Sequence, residues 1–320
     1  MRFGIVGMGR MGGGLATQAL GRGHSVVGFD VSGVAPALVT SGVKAADSLR
    51  QLVERLAPPR FVLLYVPHGA ITEKAVADVS GLLEPGDILA DGGNSHWRDS
   101  ARRALAAGGR GLRYLDLGTS GGVEGARGGA CFMVGGDLGA YQAVEPLLRD
   151  LAVPEGVAHV GGPGAGHFAK LIHNAIEFGM VQAIAEGVAL LRSGEYPFDL
   201  PALFHNWAHG SVIRGWLVEL AERALGANPQ LEHLSSWVED TREVRWAVEH
   251  ALEKEVWIPV IAESEMAFYR YRDPSSVAAK VVAMLRHEYG GHPLLRSDEA
   301  AGDAPGRGAQ GEPGRGGPPP

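Results

Sequence analysis

The chain has 320 residues, 45% of them apolar and 20% charged, with 48 glycines, 19 prolines and one cysteine, a composition that suits one large domain or two with a sizeable core. Glycine is about twice as frequent as its usual share of roughly 7% but follows no three-residue period, which excludes a collagen. A formal charge of −7 without a recurrent basic stripe argues against nucleic-acid binding, and the lone Cys131 excludes an internal disulfide, which fits a reducing, cytoplasmic setting.

In chain order, strand-like apolar runs fall at Phe3 to Val6, Ser25 to Phe29, Phe61 to Val66, Asp87 to Ala90, Arg113 to Leu117 and Cys131 to Val134. Helical patterns lie between them at Met11 to Arg22, Ala70 to Leu83, Ser100 to Ala107 and Leu138 to Leu148. Continuous apolar strands alternating with helices predict an α/β Rossmann-type parallel sheet covered on both faces, over residues 1–163. From Gly166 to Arg192 one long stretch reads as helix, and the pattern stays helical to Arg296. That predicts an all-α second domain over 164–296 for substrate binding and oligomerisation, carrying Trp207, Trp216, Trp237, Trp246 and Trp257. In 297–320, 12 of 24 residues are Gly or Pro and none is a large apolar, so a disordered tail is expected. No signal peptide precedes Arg2, and no apolar run approaches the roughly 18 residues of a membrane span, so no membrane is an expected partner.

Gly7-Met8-Gly9-Arg10-Met11-Gly12 matches GxGxxG directly after a strand and before a helix. The first glycine makes the tight turn, the second admits pyrophosphate and the third permits close helix packing, with the helix N-terminus facing the phosphates. Asp30 follows at the end of the second strand, where a carboxylate accepts from an adenosine ribose and repels a 2′-phosphate; no Lys or Arg occurs before Lys44. NAD is therefore expected over NADP. The plainer role for Asp30 is to cap the next helix.

Three polar, glycine-rich loops follow predicted strands, where ligands of open parallel sheets bind: Pro67-His68-Gly69 after Val66, Asp91-Gly92-Gly93-Asn94-Ser95, and Gly118-Thr119-Ser120-Gly121-Gly122. Val66, Pro67 and His68 are expected beside the cofactor. On the long helix Lys170, His173, Asn174 and Glu177 stand at i, i+3, i+4 and i+7 and share one face, while Leu171, Ile172, Ala175 and Ile176 are free to pack elsewhere. A solvated polar face would look the same. A lysine whose pKa is lowered by burial would be a general base for an alcohol, and Glu177 a separate proton donor, which supports a nicotinamide-dependent alcohol dehydrogenase. No His/Cys/Asp cluster has metal-ligand spacing.

These motifs together resemble the decarboxylating 6-phosphogluconate dehydrogenases, most of all their short, NAD-preferring bacterial branch. The resemblance runs from residue 1 to about 294. It is carried by 7–12, 91–95, 120–127, 164–177, Val212-Ile213-Arg214 and the segment from Arg286 to His292. It implies that Lys170 takes the proton of the substrate's C3 hydroxyl and that Glu177 protonates the enediol left after loss of carbon dioxide. Asn94, Ser120, Gly121, Gly122, His173 and Asn174 would hold the sugar acid; Asn94 would also touch the cofactor. Arg214, Arg286 and His292 would serve the phosphate, the last two reaching a neighbouring subunit of a homo-oligomer. Two departures stand out. Phe178 replaces a tyrosine of the long forms, and Glu239-Asp240-Thr241-Arg242-Glu243-Val244-Arg245-Trp246 lacks the glycines and the lysine of a phosphate-side loop. Arg242 would substitute for that lysine, whereas Glu243 would repel a phosphate. The rival readings are a non-decarboxylating β-hydroxyacid dehydrogenase, acting on 3-hydroxyisobutyrate or tartronate semialdehyde, and a catalytically silent NAD-binding sensor.

Overall fold

A computed structural model describes residues 1–273 and 276–290. The chain runs β1 (Arg2–Val6), α1 (Arg10–Gly21), β2 (Ser25–Phe29), α2 (Pro36–Thr40), β3 (Lys44–Ala45), α3 (Leu49–Glu54), β4 (Phe61–Leu64) and α4 (Ala70–Ser80). It continues through β5 (Ile88–Asp91), α5 (Trp97–Gly108), β6 (Arg113–Ser120), α6 (Gly122–Gly128), β7 (Ala130–Gly136), α7 (Leu138–Asp150) and β8 (Ala152–Gly161). Helices follow: α8 (Ala165–Ser193), α9 (Leu200–Ala208), α10 (Trp216–Ala227), α11 (Glu243–Glu253), α12 (Pro259–Arg272) and α13 (Val277–Gly290).

The sheet has the order β3-β2-β1-β4-β5-β6-β7-β8. β1 lies between β2 and β4, so the strand order reverses beside it, and the crevice at such a reversal is where Rossmann-type sheets take their ligands. Successive residues of one strand feed two different cores. Phe3, Ile5, Phe61 and Leu63 pack on one face with Leu15 and Leu117, and Val6, Val62 and Leu64 on the other with Leu52 and Val79. Both faces are covered, which is why these strands read as continuous apolar runs. Each such side chain contributes roughly 1.5–3 kcal/mol through burial.

The sheet is mostly, not wholly, parallel. β7 runs antiparallel to β6, and β8 runs parallel to β7. The link from β6 to β7 holds only α6 and its flanking glycines, too short for the dozen or more residues of a parallel crossover. β3, β8, α2, α3 and α6 have no counterpart in the sequence expectation. β8 is an edge strand with Val153, Pro154 and Glu155 exposed, so it lacks the apolar run that marked the central strands.

Helix α8 is built into the sheet at its start. The buried Asp116 carboxylate of β6 accepts the backbone N–H groups of Gly164 (2.7 Å) and His167 (2.8 Å), two donors that the first turn of a helix leaves without partners. Three glycines permit the approach. A Cβ on Gly118 would meet the Lys170 Cβ at 2.5 Å, one on Gly135 the Gly166 nitrogen at 2.4 Å, and one on Gly166 the Asp116 carbonyl oxygen at 2.2 Å. By length and composition α8 is also long and apolar enough to cross a membrane, against the expectation that no apolar run approaches the roughly 18 residues of a span. Its first half is instead hydrogen-bonded and packed on the sheet, with polar side chains on one face. Further along, Ile184, Val188 and Leu191 pack on Leu200, Phe204, Val218 and Leu225 of α9 and α10. Leu171 and Ala175 pack with Ala247 of α11.

The described residues form two compact units, 1–235 with 239–267, and 236–238 with 268–273 and 276–290. The first contains the sheet, α1 to α11 and the site described next; the second contains the end of α12 and α13. The expected tail at 297–320 lies outside the described residues.

Candidate active site

A cavity of about 1310 Å³ opens beyond the carboxyl ends of β4, β5 and β6. It is lined by Met11 of α1, by Tyr65 to His68 after β4, by Gly92 to Asn94 after β5, and by Thr119 to Gly122 after β6. α8 contributes Ala169, Lys170, Ile172, His173, Asn174, Ile176, Glu177, Phe178 and Met180; Trp216, Leu217 and Leu220 of α10 and residues 239–243 complete the wall. The three loops singled out in the sequence thus converge on one face of one helix.

The cofactor side is built around the turn from β1 to α1. Gly7 has φ +91°, and a Cβ there would stand 2.2 Å from the Tyr65 carbonyl oxygen; a Cβ on Gly12 would stand 2.0 Å from that of Gly7. Gly9 has open space where a Cβ would be, and α1 begins at Arg10 without a side-chain cap. The first-turn N–H groups are therefore not taken by a side chain, and the turn fits the pyrophosphate of a dinucleotide. Of the cofactor residues expected at this turn and at the end of β2, only Met11 lines the cavity; Gly7, Met8, Gly9, Gly12, Asp30 and the exposed Arg10 do not. Asp30 accepts from the Met8 backbone N–H (2.8 Å) and from that of Ser32 (2.9 Å). It caps no helix, because α2 starts only at Pro36. Asp30 ties the glycine turn to the end of β2, and each of its oxygens keeps a lone pair for a ribose hydroxyl.

On the other side, burial sets the chemistry. Lys170 is 8% exposed, and burial pulls its pKa below the ordinary lysine value against the opposing pull of Glu177, Glu243 and Cys131. His173 is the hub of the polar face. Its Nε2 lies 3.0 Å from Ser120 Oγ, and its Nδ1 lies 3.4 Å from Lys170 Nζ, 3.2 Å from Asn174 Oδ1 and 3.6 Å from Glu177 Oε2. With Nδ1 bare, the imidazole accepts from Lys170 and donates to Ser120; with Nδ1 protonated, it donates to Asn174. An amine and an imidazole that takes either role thus share one hydrogen-bonded group, with the Glu177 carboxylate 3.6 Å from the imidazole.

The loop after β5 is held from beneath. The fully buried Asp91 accepts from the Gly93 N–H (3.0 Å), the Ser95 hydroxyl (2.7 Å) and Arg103 Nη1 (3.2 Å), leaving Asn94 at the cavity wall. Asn94 Nδ2 donates to Glu243 Oε1 at 2.9 Å. The Tyr65 hydroxyl bonds Thr119 Oγ1 at 2.8 Å, and burial pushes its phenol pKa upward, so it stays neutral.

Val66, Pro67, His68, Met11, Asn94, Ser120, Gly121, Gly122, Lys170, His173, Asn174 and Glu177 all line the cavity, as does Phe178. Ile172 and Ile176 line it too, instead of packing away from the polar face. Arg214 does not; it is exposed before α10, its Nη1 donating to the Ser211 carbonyl oxygen at 3.0 Å. Arg286 lies on α13, its side chain outside what is described, and His292 lies outside the described residues. Arg242 reaches the wall, and so does Glu243, expected only to repel a phosphate, which is buried there. Tyr65 was not singled out in the sequence, Thr119 was named there only as part of its loop, and Trp216 only as one of the second domain's tryptophans. An aromatic or hydroxyl residue at the last turn of a strand that ends in a glycine loop was the available signal for the first two.

Comparison with known proteins agrees with this geometry. The pattern described as the NAD binding domain of 6-phosphogluconate dehydrogenase matches residues 2–161, and that of the 6-phosphogluconate dehydrogenase C-terminal domain matches 166–280. A Bacillus subtilis protein provisionally named 6-phosphogluconate dehydrogenase YqeC is 45% identical over 91% of this chain and 98% of its own. The NAD(+)-dependent, decarboxylating 6-phosphogluconate dehydrogenase of Haloferax volcanii is 37% identical over 93% of this chain and 100% of its own. In fold, the chain is similar to Plasmodium falciparum 6-phosphogluconate dehydrogenase, with a TM-score of 0.78 and 23% identity over 93% of this chain and 67% of that one. It is similar also to a 3-hydroxyisobutyrate dehydrogenase of Salmonella typhimurium, with a TM-score of 0.71 and 24% identity over 84% of this chain and 93% of that one.

Proposed function

The chain belongs to the 6-phosphogluconate dehydrogenase family of nicotinamide-dependent oxidoreductases, and from that premise we propose that it oxidises and decarboxylates 6-phosphogluconate to ribulose 5-phosphate and carbon dioxide, with NAD preferred over NADP. The observation that carries this reading is the joint presence of buried Lys170 and cavity-lining Glu177 on one face of α8, bridged by His173. The preference for NAD rests on Asp30 and on the NAD-dependent relative from Haloferax volcanii.

The bound nicotinamide supplies the hydride acceptor. Neutral Lys170 Nζ takes the proton of the C3 hydroxyl as hydride leaves C3, so the C3–O bond becomes a ketone. The ammonium so formed donates to that ketone oxygen and stabilises the negative charge that develops as the bond between C1 and C2 breaks and C1 leaves as carbon dioxide. The electron pair left at C2 forms the enediol as the ammonium gives its proton to the former ketone oxygen. Glu177, as a carboxylic acid, then gives a proton to C2, which becomes C1 of ribulose 5-phosphate, while Lys170 takes the enol proton back and restores the ketone. Ser120 and Asn174 orient the sugar acid from either side of His173. Assignment of its phosphate to Arg214, Arg286 and His292, of the enzyme to a homo-oligomer and of its place to the cytoplasm belongs to the same proposal.

A simple hydroxyacid dehydrogenase needs the base but no second proton donor, so Glu177 favours decarboxylation over that reading. A silent sensor needs neither. Supplying 6-phosphogluconate with NAD or NADP tests the proposal: reduction of cofactor is expected, faster with NAD, and no reduction with either contradicts it.

A further inference from the structure

Glu243 is the first residue of α11, 6% exposed, and lines the cavity. One of its oxygens, Oε1, is taken by Asn94 Nδ2 at 2.9 Å; the other, Oε2, is buried without a hydrogen-bond partner. The same residue borders a smaller void together with Asn94, Lys170 and Asn174, so it stands on the reacting side of the cavity. A buried carboxylate oxygen left unpaired is costly, and at a cavity wall the economical resolution is a donor brought by the ligand.

The surroundings fix which donor. Glu239, Asp240 and Glu243 stand together on this wall, and among the described lining residues the only Lys and Arg are Lys170 and Arg242. A second anion would be repelled here; a neutral O–H group would be held. Resting on the function proposed above, we propose that Glu243 is a substrate-binding residue, whose free oxygen accepts a hydroxyl hydrogen of the polyhydroxy acid and so selects a hydroxylated chain over a short, bare hydroxy acid. Asn94, bonded to the other oxygen, is thereby fixed with its amide oxygen left for the ligand.

The test compares wild type with Glu243→Gln on 6-phosphogluconate and on its analogues lacking the C2, C4 or C5 hydroxyl. Glutamine keeps the size but presents Asn94 and the ligand with one acceptor between them. The expected kcat/KM loss on the parent substrate is roughly 10- to 100-fold, the span of one hydrogen bond to a charged group. With one deoxy analogue that loss shrinks below about threefold, and the KM for NAD stays within about twofold of wild type. An equal loss on every analogue, or none on the parent, overturns the assignment. Glu243→Asp, which keeps the charge and shortens the reach, gives the same comparison if the glutamine variant does not fold. Wild type silent with 6-phosphogluconate would overturn the proposed reaction instead. Calorimetric titration of gluconate into both proteins would then decide the residue's role, at least tenfold weaker binding to the variant supporting it and equal binding overturning it.

Discussion

Gly118 and Lys170 meet at a distance that only glycine permits, since a Cβ on Gly118 would lie 2.5 Å from the Cβ of Lys170. The position of Lys170 is therefore set by a strand residue with no side chain. Gly118→Ala should push α8 away from β6, costing about 1–3 kcal/mol of stability and lowering kcat by at least about tenfold. The KM for the cofactor, bound around the turn after β1, should change little. A variant with wild-type kcat would show that the helix tolerates displacement.

Asp116 secures the same helix from below. Asp116→Ala would leave the N–H groups of Gly164 and His167 buried without an acceptor. Thermal or urea unfolding should show a loss of about 2–4 kcal/mol. Asp116→Asn, which retains one carbonyl oxygen, should lose less; equal losses would count against the capping role.

The proposed function has Lys170 act when neutral, so kcat/KM should rise with pH through its pKa. Burial lowers that pKa, which puts the rising limb below the ordinary lysine value of 10.5. Linkage has the same sign: the folded chain binds this proton less readily than the unfolded one, so its contribution to stability is lost as pH falls through the folded pKa. Lys170→Ala should lower kcat by about 10²–10⁴-fold and abolish the limb while NAD binding, followed by calorimetry, persists. A limb that survives in Lys170→Ala belongs to another group.

Asp30 ties Met8 and Ser32, and in the proposed function it also accepts from the ribose. Asp30→Ala should raise the KM for NAD by about tenfold and that for NADP by much less, since it removes one acceptor for the 2′-hydroxyl and one repulsion of a 2′-phosphate. Equal rises would mean that Asp30 matters only through the loop.

The site was legible in the sequence where its residues are neighbours along the chain. The spacing of Lys170, His173, Asn174 and Glu177 needs only the helical period to place all four on one face, and all four line the cavity. The glycine loops were legible because the turn between strand and helix demands them. What pairs distant segments was not. Asp116 lies 48 residues before Gly164, and nothing local in Leu115-Asp116-Leu117 marks its carboxylate as the cap of α8. Glu243 reads as one charge in a charged run, and only its approach to Asn94, 149 residues away, shows that it is buried. The antiparallel β7 escaped for a related reason: its apolar run is that of any central strand, and direction is set by the length of the link before it.

The most direct measurement follows reduced cofactor and released carbon dioxide together in one reaction of the purified protein with 6-phosphogluconate and NAD. The account predicts equal amounts of the two, formed at the same rate. Reduced cofactor without carbon dioxide would contradict it and make the chain a simple hydroxyacid dehydrogenase.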